Sequence, residues 1–129
     1  MGDTSRRFAA IGAWLGLAAV ATGAFGAHAL RSRIDPIHLQ TFETAVRYHI
    51  LHALALLAVG LSGERAHRPL LNGSGILFIV GIALFSGSLY ALAIGAPRWI
   101  GILTPFGGVA LMGAWACLGA ALSIRPRAA

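Results

Sequence analysis

Four long apolar segments occupy most of this 129-residue chain, at residues 8–30, 45–62, 71–94 and 100–124. A helix needs roughly 20 apolar residues to cross the hydrocarbon core of a bilayer. A closed β-barrel is the other way to cross, but its strands alternate apolar and polar residues, and these segments do not. The sequence therefore predicts an all-α, polytopic membrane protein. We expect a single domain (1–129) in which four transmembrane helices form a compact bundle.

Charged residues are too few to cover a water-soluble fold, since they make up 11% of the chain against roughly a quarter in typical soluble proteins. The net charge of +6 comes entirely from arginine, because the chain has no lysine. These arginines are scattered between the apolar segments, without the basic stripe or interleaved aromatic platform that nucleic-acid binding favours. We therefore expect the partner to be lipid and not nucleic acid, with the arginines beside lipid headgroups.

The first apolar segment has features of a secretory leader, with Arg6 and Arg7 before it and the small-x-small run 27–29 near its end. Its apolar run is longer than the 7–15 residues that are typical of a leader's apolar region. We expect it to be a retained membrane helix.

Arginine placement predicts the orientation of the chain. The N-terminal tail, the second loop and the C-terminal tail hold six arginines, and the opposite side holds four: Arg6, Arg7, Arg65, Arg68, Arg125 and Arg127 against Arg31, Arg33, Arg47 and Arg98. By the positive-inside rule, both termini are expected in the cytoplasm of a bacterium, with the helices in its inner membrane.

Small residues recur at helical spacing within the apolar segments, which predicts close packing of helices against each other or against a partner. In the first segment they follow a 4-3-4-3 spacing, typical of left-handed helix packing. The glycines that we expect at packing faces are Gly12, Gly16, Gly23, Gly26, Gly81, Gly87, Gly107 and Gly108.

Helix-start signals precede the second and fourth segments. Asp35 is a suitable N-cap and Pro36 suits the first helical position, so a short interfacial helix should follow the first segment and lead into the second. Thr104 and Pro105 repeat this signal, which predicts that residues 96–103, including Trp99, lie at the interface before the fourth helix begins.

Polar residues gather at the ends of the segments that face the non-cytoplasmic leaflet. They are His28, Glu43, Arg47, His49, His52, Tyr90 and Thr104. His49 and His52 are three residues apart, so they share a helix face, which Ala45 and Leu56 extend toward a neighbouring helix. Ionisable residues inside a membrane are costly when unpaired and are candidates for function.

Three uses of this polar cluster are open. The histidines could hold a metal or haem, although no HExxH or CxxCH motif accompanies them. A chain of histidine, glutamate, arginine and tyrosine could transfer protons or a small solute. In the interpretation that we favour, His28 and His52 hydrogen-bond across helices, Glu43 pairs with Arg47, and the membrane serines bond backbone carbonyls. We accordingly predict no catalytic residue, no metal and no cofactor.

Several blocks of this sequence resemble one known family. They are GAFGAHAL at 23–30, FETA at 42–45, HALALL at 52–57, LFSGSLY at 84–90 and TPFGG at 104–108. In this order they resemble the small bacterial membrane proteins called domain of unknown function 423, and they are similar also to mitochondrial transmembrane protein 256. The resemblance implies a four-helix membrane protein without an established activity. That family more often has glutamine at position 49, which argues against a required metal ligand at His49, whereas His28 and His52 fit its pattern.

The leading hypothesis is a non-enzymatic accessory subunit, or a homo-oligomer, that packs its small-residue faces against partner transmembrane helices. The rival is a small-solute or proton-coupled transporter that works through His28, His49, His52 and Tyr90. A haem or quinone binder is the third hypothesis.

Overall fold

The computed structural model describes residues 1–63 and 65–125, so Arg127, one of the arginines in the orientation prediction, lies outside the described residues. Four helices are long and apolar enough to span a membrane: α1 (Asp3–Leu30), α2 (Pro36–Leu61), α3 (Arg68–Ala93) and α4 (Arg98–Ser123). No strand occurs in the described ranges. The all-α, four-helix fold class is confirmed.

The helices pack in chain order, with α1 against α2, α2 against α3 and α3 against α4. Short loops join them, so neighbouring helices run antiparallel. The core is continuous through all four helices, and its largest fully buried side chains are Leu56, Val59, Leu71 and Phe78. Leu56 lies on the α2 face that the sequence predicts for contact with a neighbour. α2 and α3 therefore form the centre of the bundle, and α1 and α4 flank them.

Two glycines allow α1 and α2 to approach each other closely. A Cβ atom added to Gly12 would lie 2.6 Å from the backbone nitrogen of Leu57, and one added to Gly60 would lie 2.3 Å from that of Ala9. Farther along the same interface, Gly23 contacts Val46. Small residues at such crossings let helix backbones meet, as in many membrane bundles.

The α3–α4 pair uses glycine in the same way. A Cβ atom on Gly107 would lie 2.3 Å from the backbone nitrogen of Phe85, and one on Gly81 would lie 2.5 Å from the Leu111 side chain. On the α3–α4 interface, a Cβ atom on Gly108 would meet Phe85 only at ordinary van der Waals distance. On the α1–α2 interface, Gly26 contacts Phe42 closely. By contrast, a Cβ atom on Gly16, Gly87 or Gly119 would meet nothing within 4 Å.

Helix ends follow local sequence signals. Asp35 caps α2 by accepting a hydrogen bond from the His38 backbone N–H at 2.8 Å, and Pro36 occupies the first turn. The interfacial lead-in is continuous with the second spanning helix, because α2 runs without a break from Pro36. Gly95 follows the end of α3 by two residues, and its φ of 101° is the left-handed conformation that glycine favours after a helix. A 3-10 turn, Arg98–Ile102, precedes the α-helical part of α4 at Leu103–Ser123.

The Asp35 cap makes the first turn of α2 sensitive to acid. The hydrogen bond from the His38 backbone, and next the one from its side chain, hold the pKa of the Asp35 carboxyl below its ordinary value. The cap therefore stabilises the turn above the pKa of the unfolded chain, and this stabilisation is lost as the pH falls through the lowered, folded pKa. We expect the protection of the residue 37–39 amides against hydrogen exchange, relative to the intrinsic rate at each pH, to fall in that acidic range. In Asp35→Asn this loss of protection should be absent, and an unchanged acid response in the variant would contradict the assignment.

α1 contains a π-helical turn at Thr22–Gly26, between its α-helical parts Asp3–Ala21 and Ala27–Leu30. A π-turn adds one residue to a helical turn and is frequent at functional sites. Here it places Thr22 at the start of the irregular turn, next to the polar residues of α2 and α3 described below.

Candidate functional site

The centre of the polar cluster is a hydrogen bond between α2 and α3. The Tyr90 hydroxyl lies 2.9 Å from Nδ1 of His49, and the His49 side chain is only 7% exposed. Side chains on a helix lean toward its N-terminus. Because α2 and α3 are antiparallel, His49 leans toward the end of the bundle that holds residues 31–35 and Tyr90 leans away from it, so their polar atoms converge.

α1 completes this arrangement. Thr22 lies beside the Tyr90 side chain, but its hydroxyl donates to the Ala18 carbonyl oxygen within α1. His49 Nε2 is buried and has no hydrogen-bond partner among the described residues. We refer to Thr22, His49 and Tyr90 as the three-helix polar junction. Chemically, it ties α2 to α3 through the His49–Tyr90 hydrogen bond, with Thr22 of α1 beside that bond.

His52 occupies a different environment, one turn farther along α2. Its Nδ1 lies 2.6 Å from the Tyr48 carbonyl oxygen, so Nδ1 must carry the proton that it donates. Aromatic rings surround the imidazole, with centroids 5.9 Å away at Phe78 and 6.1 Å away at Trp115. Its hydrogen bond stays within α2, so the predicted cross-helix bond of His52 is replaced by ring packing against α3 and α4.

Buried hydroxyls link the remaining helices. Ser86 donates to the Ala45 carbonyl oxygen at 2.9 Å, and Ser74 donates to the Ala114 carbonyl oxygen at 2.8 Å. The expectation that membrane serines bond backbone carbonyls is confirmed at these positions. Thr104, the candidate on α4, lies 2.6 Å from the Ser88 hydroxyl. Each of these bonds crosses a helix interface without a charged group.

A groove opens between the C-terminal end of α1 and the N-terminal part of α2, with a volume of about 480 Å³. We call it the α1–α2 groove, and its lining comprises Gly23, Ala27, Arg31, Glu43, Val46, Arg47 and Ile50. The expected ion pair between Glu43 and Arg47 is wrong: in the described part of the chain the closest acid–base contact is His38 with Asp35, and neither groove residue has an ionic partner. Both point into the same groove without neutralising each other.

His28 is not brought together with the other candidates. It lies near the end of α1 with an exposed side chain. Within residues 1–63 and 65–125, histidine, cysteine, aspartate and glutamate nowhere form a group of three that could hold a metal ion. The predicted cluster thus separates into the three-helix polar junction, the aromatic surroundings of His52, the Ser88–Thr104 pair and the α1–α2 groove.

Three contributors were missed from sequence. Thr22 is an isolated hydroxyl in a small-residue run, and that isolation was the available signal. Gly60 continues the spacing of the α2 face four residues after Leu56, so the same periodicity could have included it. Arg31 was counted for orientation only, and nothing in the linear sequence places it in a groove with Glu43.

Comparisons with known proteins agree with the fold. Residues 22–108 match the model of a family described as a protein of unknown function (DUF423), and this range includes Thr22, His49 and Tyr90. The chain is 43% identical over 112 residues to a UPF0382 membrane protein of Staphylococcus saprophyticus, covering 86% of this chain and 92% of that protein.

Two further relatives give the same result in other bacteria. The UPF0382 membrane protein YwdK of Bacillus subtilis (strain 168) is 42% identical over 109 residues, or 84% of this chain and 89% of the relative. The UPF0382 inner membrane protein YgdD of Escherichia coli (strain K12) is 35% identical over 115 residues, or 89% of this chain and 88% of the relative. No solved structure gives a significant match.

Proposed function

This chain is an integral membrane protein of the DUF423 family, and from that premise we propose that it is a non-enzymatic subunit that packs against partner transmembrane helices. The partner is either a second copy or another protein of a larger membrane complex. The relative named as an inner membrane protein supports the same location here. The arginine distribution supports cytoplasmic termini.

The observation that supports this proposal is the uneven burial of the helices. Within the apolar stretches, 44% of α2 and 33% of α3 are buried inside the protein, but only 17% of α1 and 17% of α4. Large apolar side chains stand out from the flanking helices, among them Trp14 and Phe25 on α1 and Phe106 and Met112 on α4. Gly16 on α1 and Gly119 on α4 leave open space beside them, which a partner helix could enter.

Cysteine crosslinking in native membranes tests the proposal directly. In a Cys117→Ser background, Gly16→Cys and Gly119→Cys introduce thiols on the flanking helices, and Ile76→Cys introduces one on an exposed part of the central helix α3 as the control. Gly16 and Gly119 have room for a side chain and Ile76 is exposed, so folding should be unaffected. We expect crosslinked species above the 13.4 kDa monomer for Gly16→Cys and Gly119→Cys but not for Ile76→Cys. Monomer alone in all variants, and a monomer in mild detergent, would contradict the proposal.

The transporter hypothesis is supported less well by the geometry. Its histidines are held by different partners, because His49 bonds Tyr90 and His52 bonds its own helix. Neither histidine lines the α1–α2 groove. A haem or quinone would have to approach these rings from the lipid. The absorption spectrum of protein purified from its native membrane shows whether one is bound. A Soret band, or a co-purified quinone, would favour the third hypothesis over packing.

A further inference from the structure

We propose that the α1–α2 groove binds a phospholipid whose headgroup carries a primary ammonium, as in phosphatidylethanolamine. The rim of the groove holds two guanidinium groups, from Arg31 and Arg47, and one carboxylate, from Glu43. The floor is apolar and is formed by Gly23, Ala27, Val46 and Ile50. Its volume of about 480 Å³ lies within the usual range of small-molecule sites, roughly 300–1,000 Å³.

The charges of the rim match this headgroup better than other common ones. Guanidinium groups bind phosphate oxygens through paired N–H donors, so Arg31 and Arg47 suit the phosphodiester. A primary ammonium has three N–H donors, and the Glu43 carboxylate can accept from it. The quaternary ammonium of phosphatidylcholine has no N–H to donate, and the glycerol headgroup of phosphatidylglycerol has no cation. Selectivity should therefore come from Glu43 and general phospholipid affinity from the arginines.

The rim groups are available to a ligand because none of them has an ionic partner among the residues that the structure describes. Glu43 is half-buried in the groove, whereas Arg31 and Arg47 are exposed. Long arginine side chains extend toward the headgroup region while their stems cover apolar surface. A half-buried carboxylate without an ionic partner is costly, and a headgroup ammonium would compensate its charge.

The geometry of the floor suits an acyl chain. Glu43 and Ile50 are seven residues apart on α2, which places the rim and the inner end of the floor about 10 Å apart along the helix axis. Gly23 and Ala27 lie opposite on α1, and their small side chains keep this stretch open to the bilayer. A phospholipid can thus place its headgroup between the charged side chains and one chain along the apolar wall.

Native mass spectrometry of the full chain, released from nanodiscs, tests the site with defined lipids. The probes are phosphatidylethanolamine, phosphatidylcholine and phosphatidylglycerol with identical acyl chains, each added at equal concentration. We expect the first to bind most tightly. Glu43→Gln should remove the preference for phosphatidylethanolamine over phosphatidylglycerol, whereas Arg47→Gln should weaken both by about tenfold.

Two further variants control for general effects. Arg98→Gln removes an arginine at the same end of the bundle that does not line the groove, and it should leave all three affinities unchanged. Ala27→Leu narrows the floor and should weaken all three lipids alike, with an unchanged circular dichroism spectrum as the check on folding. Equal binding of the three lipids by the unmodified chain would overturn the proposal, as would a preference that survives Glu43→Gln.

Discussion

Gly60→Ala and Gly107→Ala should each destabilise the bundle by about 1–3 kcal/mol, the range for overpacking a well-packed interior. Each new methyl group would lie 2.3 Å from a backbone nitrogen, that of Ala9 for Gly60 and that of Phe85 for Gly107. A backbone cannot rotate away as a side chain can, so the two helices would have to separate. The measurement is the unfolding free energy in mixed micelles, followed by circular dichroism as the denaturing detergent is increased.

Gly16→Ala and Gly119→Ala are the matched controls, because a Cβ atom at either position meets nothing within 4 Å. The unfolding free energy of these variants should equal that of the unmodified chain or slightly exceed it, since alanine has a higher helix propensity than glycine. Gly60 and Gly107 lie in different helix pairs, so the double variant should show nearly additive losses. Equal stabilities of the Gly60→Ala and Gly16→Ala proteins would show that the close α1–α2 contact is not what stabilises this pair.

His49→Leu should lower the unfolding free energy by about 1 kcal/mol, the scale of an interhelical hydrogen bond in a membrane. Leucine keeps the bulk of the side chain but leaves the Tyr90 hydroxyl without the partner that it has at 2.9 Å. His49→Gln should cost much less, because an amide can still hydrogen-bond the Tyr90 hydroxyl.

A double-mutant cycle isolates the contribution of the bond itself. Tyr90→Phe removes the hydroxyl and retains the ring that lies 5.3 Å from Phe42, so packing is preserved. When Tyr90→Phe is also present, the difference in unfolding free energy between His49→Leu and His49→Gln should shrink, because neither side chain then has the Tyr90 hydroxyl as a partner. If His49→Gln is as destabilising as His49→Leu, then the imidazole is required for a reason other than this hydrogen bond.

The spans and one helix face could be predicted from sequence because both depend on short-range patterns. Apolar length identified the membrane helices, and the spacing of Ala45, His49, His52 and Leu56 identified the buried face of α2. Asp35 with Pro36 gave the start of that helix, since capping depends on adjacent residues. These features need only the period of a helix and the chemistry of its ends.

The partners of the polar residues could not be predicted, because they depend on how far one helix slides along the next. His49 and Tyr90 are 41 residues apart, and shifting either helix by one turn would separate them. The Glu43–Arg47 ion pair was wrong for a related reason. Spacing of four residues permits an ion pair, but both side chains line the groove between α1 and α2 without pairing. The linear sequence does not reveal this groove.

The order in which the helices pack has a consequence for how the protein enters the membrane. Each helix packs mainly against the helix that directly precedes or follows it in the sequence. The α1–α2 hairpin, with its Gly12 and Gly60 contacts, can close while α3 is still being synthesised, and α3 with α4 can follow as a second unit. Contacts that are local in sequence form early and rapidly. If the protein inserts as two successive hairpins, no long apolar segment has to remain without a packing partner until a helix far along the sequence is synthesised.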